Sequence, residues 1–277
     1  MSSLSIFAFD NAGNLIVRRN FTSSELTAKK ATFALPRSAA GTTVEFCALA
    51  NATIGDITTK TALLALKETA AADYNGTFAE VNTKSKRTAG FLMSGSTTKA
   101  VAAAGTTTDV AIALKRTVAK IAVQTSLSAD FASRYPGSVK INSVALSKAS
   151  SQTPYMGGAA SPGTMNFTHT QSPGEASGKF NSLFYIFENG ALSAGSRVLL
   201  TMEGVYDKDG NFSTSSDQMP VTYTCELSGT SSNGSILRNG YYRVAISLTG
   251  LMGQDVNATI TVADWDTPAT QTINLGQ

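Results

Sequence analysis

The residues that most often perform chemistry in proteins are scarce in this 277-residue chain. It has one histidine, His169, in a Ser- and Thr-rich segment, and two cysteines, Cys47 and Cys225, within apolar strand-like runs. Nucleophilic catalysis needs a nucleophile beside a base, and zinc sites need three or four ligands. We therefore predict that the chain is not an enzyme and has no catalytic residue, no cofactor and no metal. Paired carboxylates for glycoside hydrolysis stay open, since no pair can be named among the 19 acidic residues.

One acidic segment, Asp207 to Asn211 (DKDGN), has closely spaced oxygen ligands of the kind that calcium prefers. Its glycine comes at the fourth position instead of the sixth, and no glutamate follows at the twelfth. Asn and Gly also accept the positive φ angles of hairpin turns. We therefore predict a hairpin turn at this segment.

The surface is polar mainly through hydroxyl groups. Charged residues make up 15% of the chain, whereas 66 residues are Ser or Thr, and Thr suits the half-exposed faces of β-strands. The net charge of +3 is spread along the chain, so no basic patch indicates nucleic-acid binding. No apolar stretch reaches 18 residues, so we predict no transmembrane segment. No signal peptide begins the chain, which we expect to reflect removal of that segment or a shortened chain.

Short strand-like segments with alternating or continuous apolar residues recur along the whole chain. They predict an all-β fold of two β-sandwich domains in tandem, comprising residues 1–127 and 128–277. The first domain is predicted to end after one long strand from Asp109 to Gln124, and its one short helix is predicted from Asp56 to Glu68 with Asp56 as N-cap. Segments rich in glycine and proline, at Gln152 to Pro173 and Ser228 to Gly240, predict long surface loops.

The first strand begins the chain without a preceding partner strand. Leu4 and Ile6 lie on one face of this strand, and Phe7 and Phe9 lie on the other. A sheet that begins this way can lack a member, and an incomplete sheet can bind a strand of another chain. We therefore predict that Leu4, Ile6, Phe7 and Phe9 form the edge of an acceptor groove.

Several stretches, taken in order, are similar to one known family. They are Leu4 to Leu15, Phe91 to Gly95, Ile112 to Ile121, Tyr241 to Ile246 and Thr259 to Trp265. Together they resemble the fimbrillin-like family of type V pilins, which comprises fimbrial subunits and cell adhesion proteins. The resemblance covers nearly the whole chain.

The resemblance implies a fold, a location and a mode of assembly. It implies two transthyretin-like β-sandwich domains, export as a lipoprotein and assembly into fimbriae on the outer membrane of a Gram-negative cell. It also implies that an arginine-specific protease removes a leading strand just before the segment that Leu4 to Phe9 matches. A strand from a neighbouring subunit, usually its C-terminal end, then fills the opened groove. The chain lacks the lipidated cysteine, the leading strand and the cleavage arginine of the precursor pattern.

The end of the chain is the candidate donor strand, in which Ala269, Gln271, Ile273 and Leu275 share a face. Burial of the two large apolar side chains gives roughly 3 to 6 kcal/mol, whereas association costs about 4 to 15 kcal/mol. We therefore expect a C-terminal donor to be longer than the last nine residues or to be locked kinetically. The alternative is an ordinary edge strand of the second domain. Trp265 is predicted to anchor the core at the end of the preceding strand.

Two functions follow from these observations. The first is a structural subunit of a cell-surface fimbrium that polymerises by donor-strand complementation with neighbouring pilin subunits. The alternative is a tip adhesin, or a surface module that binds a host glycan or protein and does not polymerise. Its binding loops would be Tyr155 to Gly163 and Ser228 to Gly240.

Overall fold

The computed structural model describes residues 1–69, 75, 90–158, 163–170, 180–227, 233–251, 256–264 and 270–275. The elements of the first half are β1 (Leu4–Phe9), β2 (Leu15–Asn20), α1 (Ser23–Ala28), β3 (Lys30–Phe33), a 3₁₀ turn (Arg37–Ala39), β4 (Thr43–Ala50), α2 (Lys60–Leu64), β5 (Lys67–Glu68), β6 (Met93–Ala100), β7 (Thr108–Ala113) and β8 (Lys115–Arg116). Those of the second half are β9 (Val118–Leu127), α3 (Phe131–Arg134), β10 (Ser138–Ala149), β11 (Thr153–Pro154), β12 (Met165–Thr170), β13 (Phe180–Phe187), β14 (Leu199–Asp207), β15 (Gln218–Glu226), β16 (Gly240–Leu248), β17 (Val256–Asp264) and β18 (Thr270–Leu275).

The first sandwich consists of two sheets. One has five strands in the order β2-β1-β4-β6-β8, and the other has three in the order β3-β18-β7. Their shared core includes Leu4 and Ile6 of β1, Phe46 of β4, and Val110 and Ile112 of β7. Every second residue of β7 is buried, which is typical of a strand with one face on a core.

The five-stranded sheet is also covered on its outer face. Phe7 and Phe9 of β1, together with Cys47 and Leu49 of β4, pack with Leu63 of α2 in a second apolar cluster. All six residues of β1 are therefore buried. The strand is apolar on both faces in the sequence because each face contacts a separate core.

The second sandwich consists of two four-stranded sheets, in the orders β12-β10-β14-β15 and β13-β9-β16-β17. β9 pairs with β13 in antiparallel and with β16 in parallel orientation. The core between the sheets includes Ile121, Phe184, Leu200, Tyr223 and Val244, which are at most 1% exposed. The predicted fold class of two β-sandwiches in tandem is confirmed.

The helix predicted from Asp56 to Glu68 is shorter than expected. α2 comprises Lys60–Leu64, and its N-cap is Thr59, whose hydroxyl accepts a hydrogen bond from the Ala62 N–H at 3.2 Å. The prediction of a single helix in the first domain also missed α1. Six residues with none buried give no apolar stripe that a periodicity argument could detect.

The segment predicted as one long strand from Asp109 to Gln124 is three strands, β7, β8 and β9. The chain passes from the first sandwich to the second within this segment, because β9 pairs, among the described strands, only with those of the second half. The domain division at residue 127 stays a prediction, and the pairing of β9 favours a boundary before Val118 instead. The loop predicted from Gln152 to Pro173 was wrong in part, since it contains β12, which pairs with β10.

A polar cluster joins the two sandwiches. The Arg238 guanidinium donates to the Glu188 carboxylate, with Nε 2.9 Å from Oε1, and to the Ser94 hydroxyl in β6 at 3.0 Å. It also donates to the carbonyl oxygens of Pro154 and Tyr155 at 2.8 and 3.0 Å. The side chains of Arg238 and Glu188 are each 12% exposed, so the ion pair is largely removed from water.

Candidate functional site

The three-stranded sheet of the first sandwich takes its central strand from the end of the chain. β18 lies between β3 and β7, parallel to β3 and antiparallel to β7. All six of its residues pair with β7, from Thr270 opposite Ala113 to Leu275 opposite Thr108, and four also pair with β3. Within the described ranges, no other strand joins β3 to β7. The position between these two strands, which we call the strand slot, is the candidate functional site.

The predicted donor-strand residues lie at regular positions in the strand slot. The register pairs Gln271 with Ile112, Ile273 with Val110, and Leu275 with Thr108. The three β7 partners are the buried residues of that strand, and the residues between them are exposed. On the other side, Ile273 is paired with the buried Ala31 of β3. Ala269 and Trp265 lie outside the described residues.

The predicted acceptor edge is not at a sheet edge. β1, which contains Leu4, Ile6, Phe7 and Phe9, pairs with β2 on one side and with β4 on the other. The prediction of an edge at β1 is therefore corrected, because both sides of the strand are occupied by the chain's own strands. Leu4 and Ile6 still contribute to the site, since they belong to the core shared with β7. A role for these four residues in accepting a strand stays a prediction.

β3 is positioned by the short helix that precedes it. The Thr22 side chain accepts a hydrogen bond from the Glu25 N–H at 3.3 Å, and the Glu25 carboxylate accepts one from the Thr22 N–H at 2.7 Å. This reciprocal pair is a capping box, which fixes the start of α1. The hydrogen bond from Thr22, together with the nearby Arg19 guanidinium, lowers the pKa of the Glu25 carboxyl. The helix ends at Lys29 with φ 54°, and β3 begins at the next residue.

β7 is held against β6 by a close approach of the two backbones. A Cβ atom at Gly95 of β6 would lie 2.1 Å from the carbonyl oxygen of Ala113, so only glycine fits there. Sequence reasoning missed β3 and β7 as the borders of the site because it treated β7 as part of one longer strand. The polar interruption at Lys115 to Thr117, between two apolar runs, was the signal that could have separated them.

The described parts of the two predicted adhesin loops lie beside each other at the junction between the sandwiches. Tyr155 contacts the apolar cluster on the outer face of the five-stranded sheet, and its N–H donates to the Leu66 carbonyl at 2.9 Å. Arg238, from the other loop, donates to the Tyr155 carbonyl. Residues 159–162 and 228–232 lie outside the described ranges. These contacts connect the loops to the body of the protein.

The cysteines and the histidine lie on three different strands, and Cys47 and His169 are buried whereas Cys225 is half-buried. Burial, with a smaller contribution from Glu45, raises the pKa of the Cys47 thiol to about 12, so it is not a thiolate at neutral pH. Burial also raises the pKa of Cys225, and neither cysteine forms a disulfide. His169 of β12 stacks on Phe184, with ring centroids 4.3 Å apart.

The acidic segment that begins at Asp207 connects β14 to β15, which confirms the predicted hairpin. Carboxylate oxygens of Asp207, Asp209 and Asp217 lie within 4.8 Å of one another. The Asp207 carboxylate accepts hydrogen bonds from the Asn211 N–H at 3.0 Å and the Gln218 side chain at 3.1 Å. The hydrogen bonds within the hairpin therefore account for the conformation of this turn.

The fold defines a protein of two tandem β-sandwiches, the first of which is completed by a strand from the end of the chain. The chain matches the family model described as "Fimbrillin-A associated anchor proteins Mfa1 and Mfa2" over residues 1–269. It belongs to this family of fimbrial proteins, which confirms the resemblance found in the sequence. No curated protein matches the chain significantly.

Solved structures with the same fold are described as cell adhesion or fimbrial proteins. A candidate cell adhesion protein of Parabacteroides distasonis superposes with a TM-score of 0.62 at 13% identity, over 95% of this chain and 88% of that one. A fimbrilin of Porphyromonas gingivalis gives 0.57 at 15% identity, over 97% and 92%. The tip fimbrial protein Mfa3 of the same organism, with a C-terminal truncation, gives 0.56 at 14% identity, over 95% and 94%. At these identities the likeness supports the fold.

Membership of this family makes the chain a fimbrial protein of the cell surface and not an enzyme. Among the described helices, none has the length and apolar character required to cross a membrane.

Proposed function

We propose that the chain is a structural subunit of a fimbrium that polymerises by donor-strand complementation. Residues 270–275 of one subunit would form the central strand between β3 and β7 of its neighbour. The observation that carries the proposal is the two-sided pairing of β18, which completes a sheet that otherwise lacks its middle. The partners are therefore neighbouring pilin subunits of the same or a related type.

The proposal includes a maturation route, which rests on the resemblance to type V pilins. The subunit is exported as a lipoprotein precursor and reaches the outer membrane of a Gram-negative cell. An arginine-specific protease then removes a leading strand from a position just before Leu4–Phe9. Removal of that strand leaves the strand slot to a C-terminal strand, either the subunit's own or a neighbour's.

The main chain provides most of the affinity in this proposal. A strand paired on both sides engages its N–H and C=O groups with two neighbours, and each hydrogen bond contributes roughly 1 kcal/mol net. Ladders on both sides of a six-residue strand can therefore add to the side-chain term and offset an association cost of about 4 to 15 kcal/mol. The buried β7 residues opposite the donor positions then contribute specificity of register.

Deletion of residues 268–277 tests the proposal. The deleted chain is expected to form no filaments in negative-stain electron microscopy, while the full chain does. Substitution of Gln277, which follows the strand, by Ala is the matched control and should leave filaments unchanged. Normal filaments from the deleted chain would contradict the proposal. Absence of filaments from both chains, together with binding to a glycan or host-protein array, would replace it with the tip-adhesin function.

A further inference from the structure

We infer that the isolated subunit keeps its own C-terminal strand in its own strand slot and is closed to a neighbour until that strand is released. This inference deepens the proposed function, because it concerns what occupies the slot before assembly. It makes release of β18 the controlling step in polymerisation. The partner that finally replaces it is a second copy of this chain.

The first support is that both ladders of β18 form within one chain. The pairing runs without a register shift from Thr270 to Leu275 along β7, and from Thr272 to Leu275 along β3. The slot thus holds a complete central strand in a single subunit. A neighbour's strand would have to displace hydrogen bonds that already exist.

The second support is the short path between the sandwiches. β17 ends at Asp264 opposite Gly240, and the adjacent Asn239 accepts hydrogen bonds from the Arg116 N–H at 3.2 Å and its guanidinium at 3.0 Å. β18 begins opposite Ala113, which lies three positions before Arg116. β17 therefore ends, and β18 begins, beside the segment in which the chain passes from the first sandwich to the second. Five residues, 265–269, connect them and can span at most about 18 Å.

Such a short connection favours the chain's own strand over a neighbour's. A short linker gives a tethered segment an effective concentration in the millimolar range. At a micromolar subunit concentration, the tethered strand therefore has an advantage of roughly 10³-fold over an identical strand from another subunit. Exchange between closed subunits should be slow, and its rate should depend on the opening of β18.

A designed disulfide tests where the strand lies. Ala111 of β7 is exposed, and Thr272 is its partner in the register. Directly opposite residues in an antiparallel pair have Cα atoms about 4.5 to 5.5 Å apart, which suits a disulfide. The double variant Ala111→Cys and Thr272→Cys, with Cys225→Ser to remove the half-buried thiol, should form an intrachain disulfide under mild oxidation.

The readout is non-reducing electrophoresis of the monomer fraction at several protein concentrations. We expect a cross-linked monomer whose yield does not change with concentration. The matched control is Ala113→Cys with Thr272→Cys, because that pair is diagonal and lies about 7 to 8 Å apart. Cross-linked dimers instead of monomers, or equal cross-linking of both pairs, would overturn the inference.

Assembly of the cross-linked chain separates the inference from the proposed function. The oxidised double variant should form no filaments, and reduction should restore them to the level of the Cys225→Ser parent. Thr272→Pro removes a main-chain hydrogen-bond donor in the middle of β18. This variant should form no filaments under either oxidising or reducing conditions. Filaments from the oxidised chain would overturn the inference. A cross-linked monomer that forms no filament even after reduction, like its parent, would support the closed subunit and contradict the proposed function.

Discussion

The second sandwich takes all its strands from one continuous stretch of the chain, β9 to β17, whereas the first depends on a strand from the far end. β18 pairs with β3 and β7, from which it is separated by most of the sequence. The four-stranded sheets of the second sandwich are complete before the last residues are reached. One half of the molecule is therefore completed by neighbouring strands in the sequence, whereas the other half is completed by the strand that we propose is exchanged.

This difference affects folding as well as assembly. Pairing between distant segments is slow, because loop closure costs entropy before the contacts can compensate for it. The first sandwich is therefore expected to complete its three-stranded sheet last. An element that forms last and has few neighbours in sequence is suited to removal and replacement.

The largest expected effect that tests this comparison comes from removing one core aromatic ring in each sandwich. Phe46 and Phe184 are both fully buried, and Phe→Ala in a core costs about 3 to 5 kcal/mol. Phe46→Ala should lower hydrogen-exchange protection in β3, β7 and β18, and Phe184→Ala should lower it in β9 and β13. Urea denaturation gives the size of each loss, and hydrogen exchange gives its location.

A uniform loss of protection over both sandwiches for either variant would contradict the comparison. It would mean that the two halves unfold as one unit. The junction cluster around Arg238 would then be the reason, because it connects β6 of the first sandwich with residues of the second.

The second effect concerns that junction. Arg238→Met leaves the Glu188 carboxylate without its ion-pair partner at a site where both side chains are 12% exposed. Breaking a largely buried pair in this way should cost about 3 kcal/mol. We also expect the two sandwiches to melt less cooperatively in calorimetry, since one of the contacts between them is lost.

Arg134→Met is the matched control for this variant. Arg134 forms an ion pair with Asp130, in which both side chains are more than half exposed, so little change is expected. If both variants melt like the parent, the Arg238 cluster does not hold the sandwiches together.

Most of the strands could be predicted from the sequence, but the strands that border the strand slot could not. β1 and β4 are compact apolar runs, and β18 has alternating apolar residues, so each pattern indicates a strand. The shared face of Gln271, Ile273 and Leu275 could be predicted because side chains alternate along a strand, and their donor role stays a prediction. Which strands would lie beside them could not be predicted, because pairing between residues far apart leaves no local pattern. β12 was missed because its Thr and Asn residues are also typical of loops.

The third effect is a loss of stability at high pH, with a different group responsible in each sandwich. Burial raises the pKa of Cys47 from 9.0 to about 12, and burial raises the pKa of Tyr185 from 10.0 to about 12. The folded state therefore keeps protons that the unfolded state releases, so stability is complete below pH 9 and falls between pH 9 and 12. For Cys47 the loss should reach about 1.4 kcal/mol at pH 10.

Urea denaturation at pH 7, 9, 10 and 11 measures this effect. Cys47→Ala should flatten the profile of the first sandwich between pH 9 and 10, and Tyr185→Phe should do so for the second sandwich only above pH 10. An unchanged profile in Cys47→Ala would assign the alkaline loss to other groups.

The smallest expected effect concerns the stability of β3, which borders the strand slot. Thr22→Ala removes the side-chain half of the capping box that starts α1, just before β3, and such a loss typically costs about 1 kcal/mol. Because β3 is one wall of the slot, we expect faster hydrogen exchange in β3 and β18 and no change in β13. Thr22→Ser keeps the hydroxyl and should behave like the parent. Equal exchange in the Ala and Ser variants would show that β18, and not the helix, holds β3 in place.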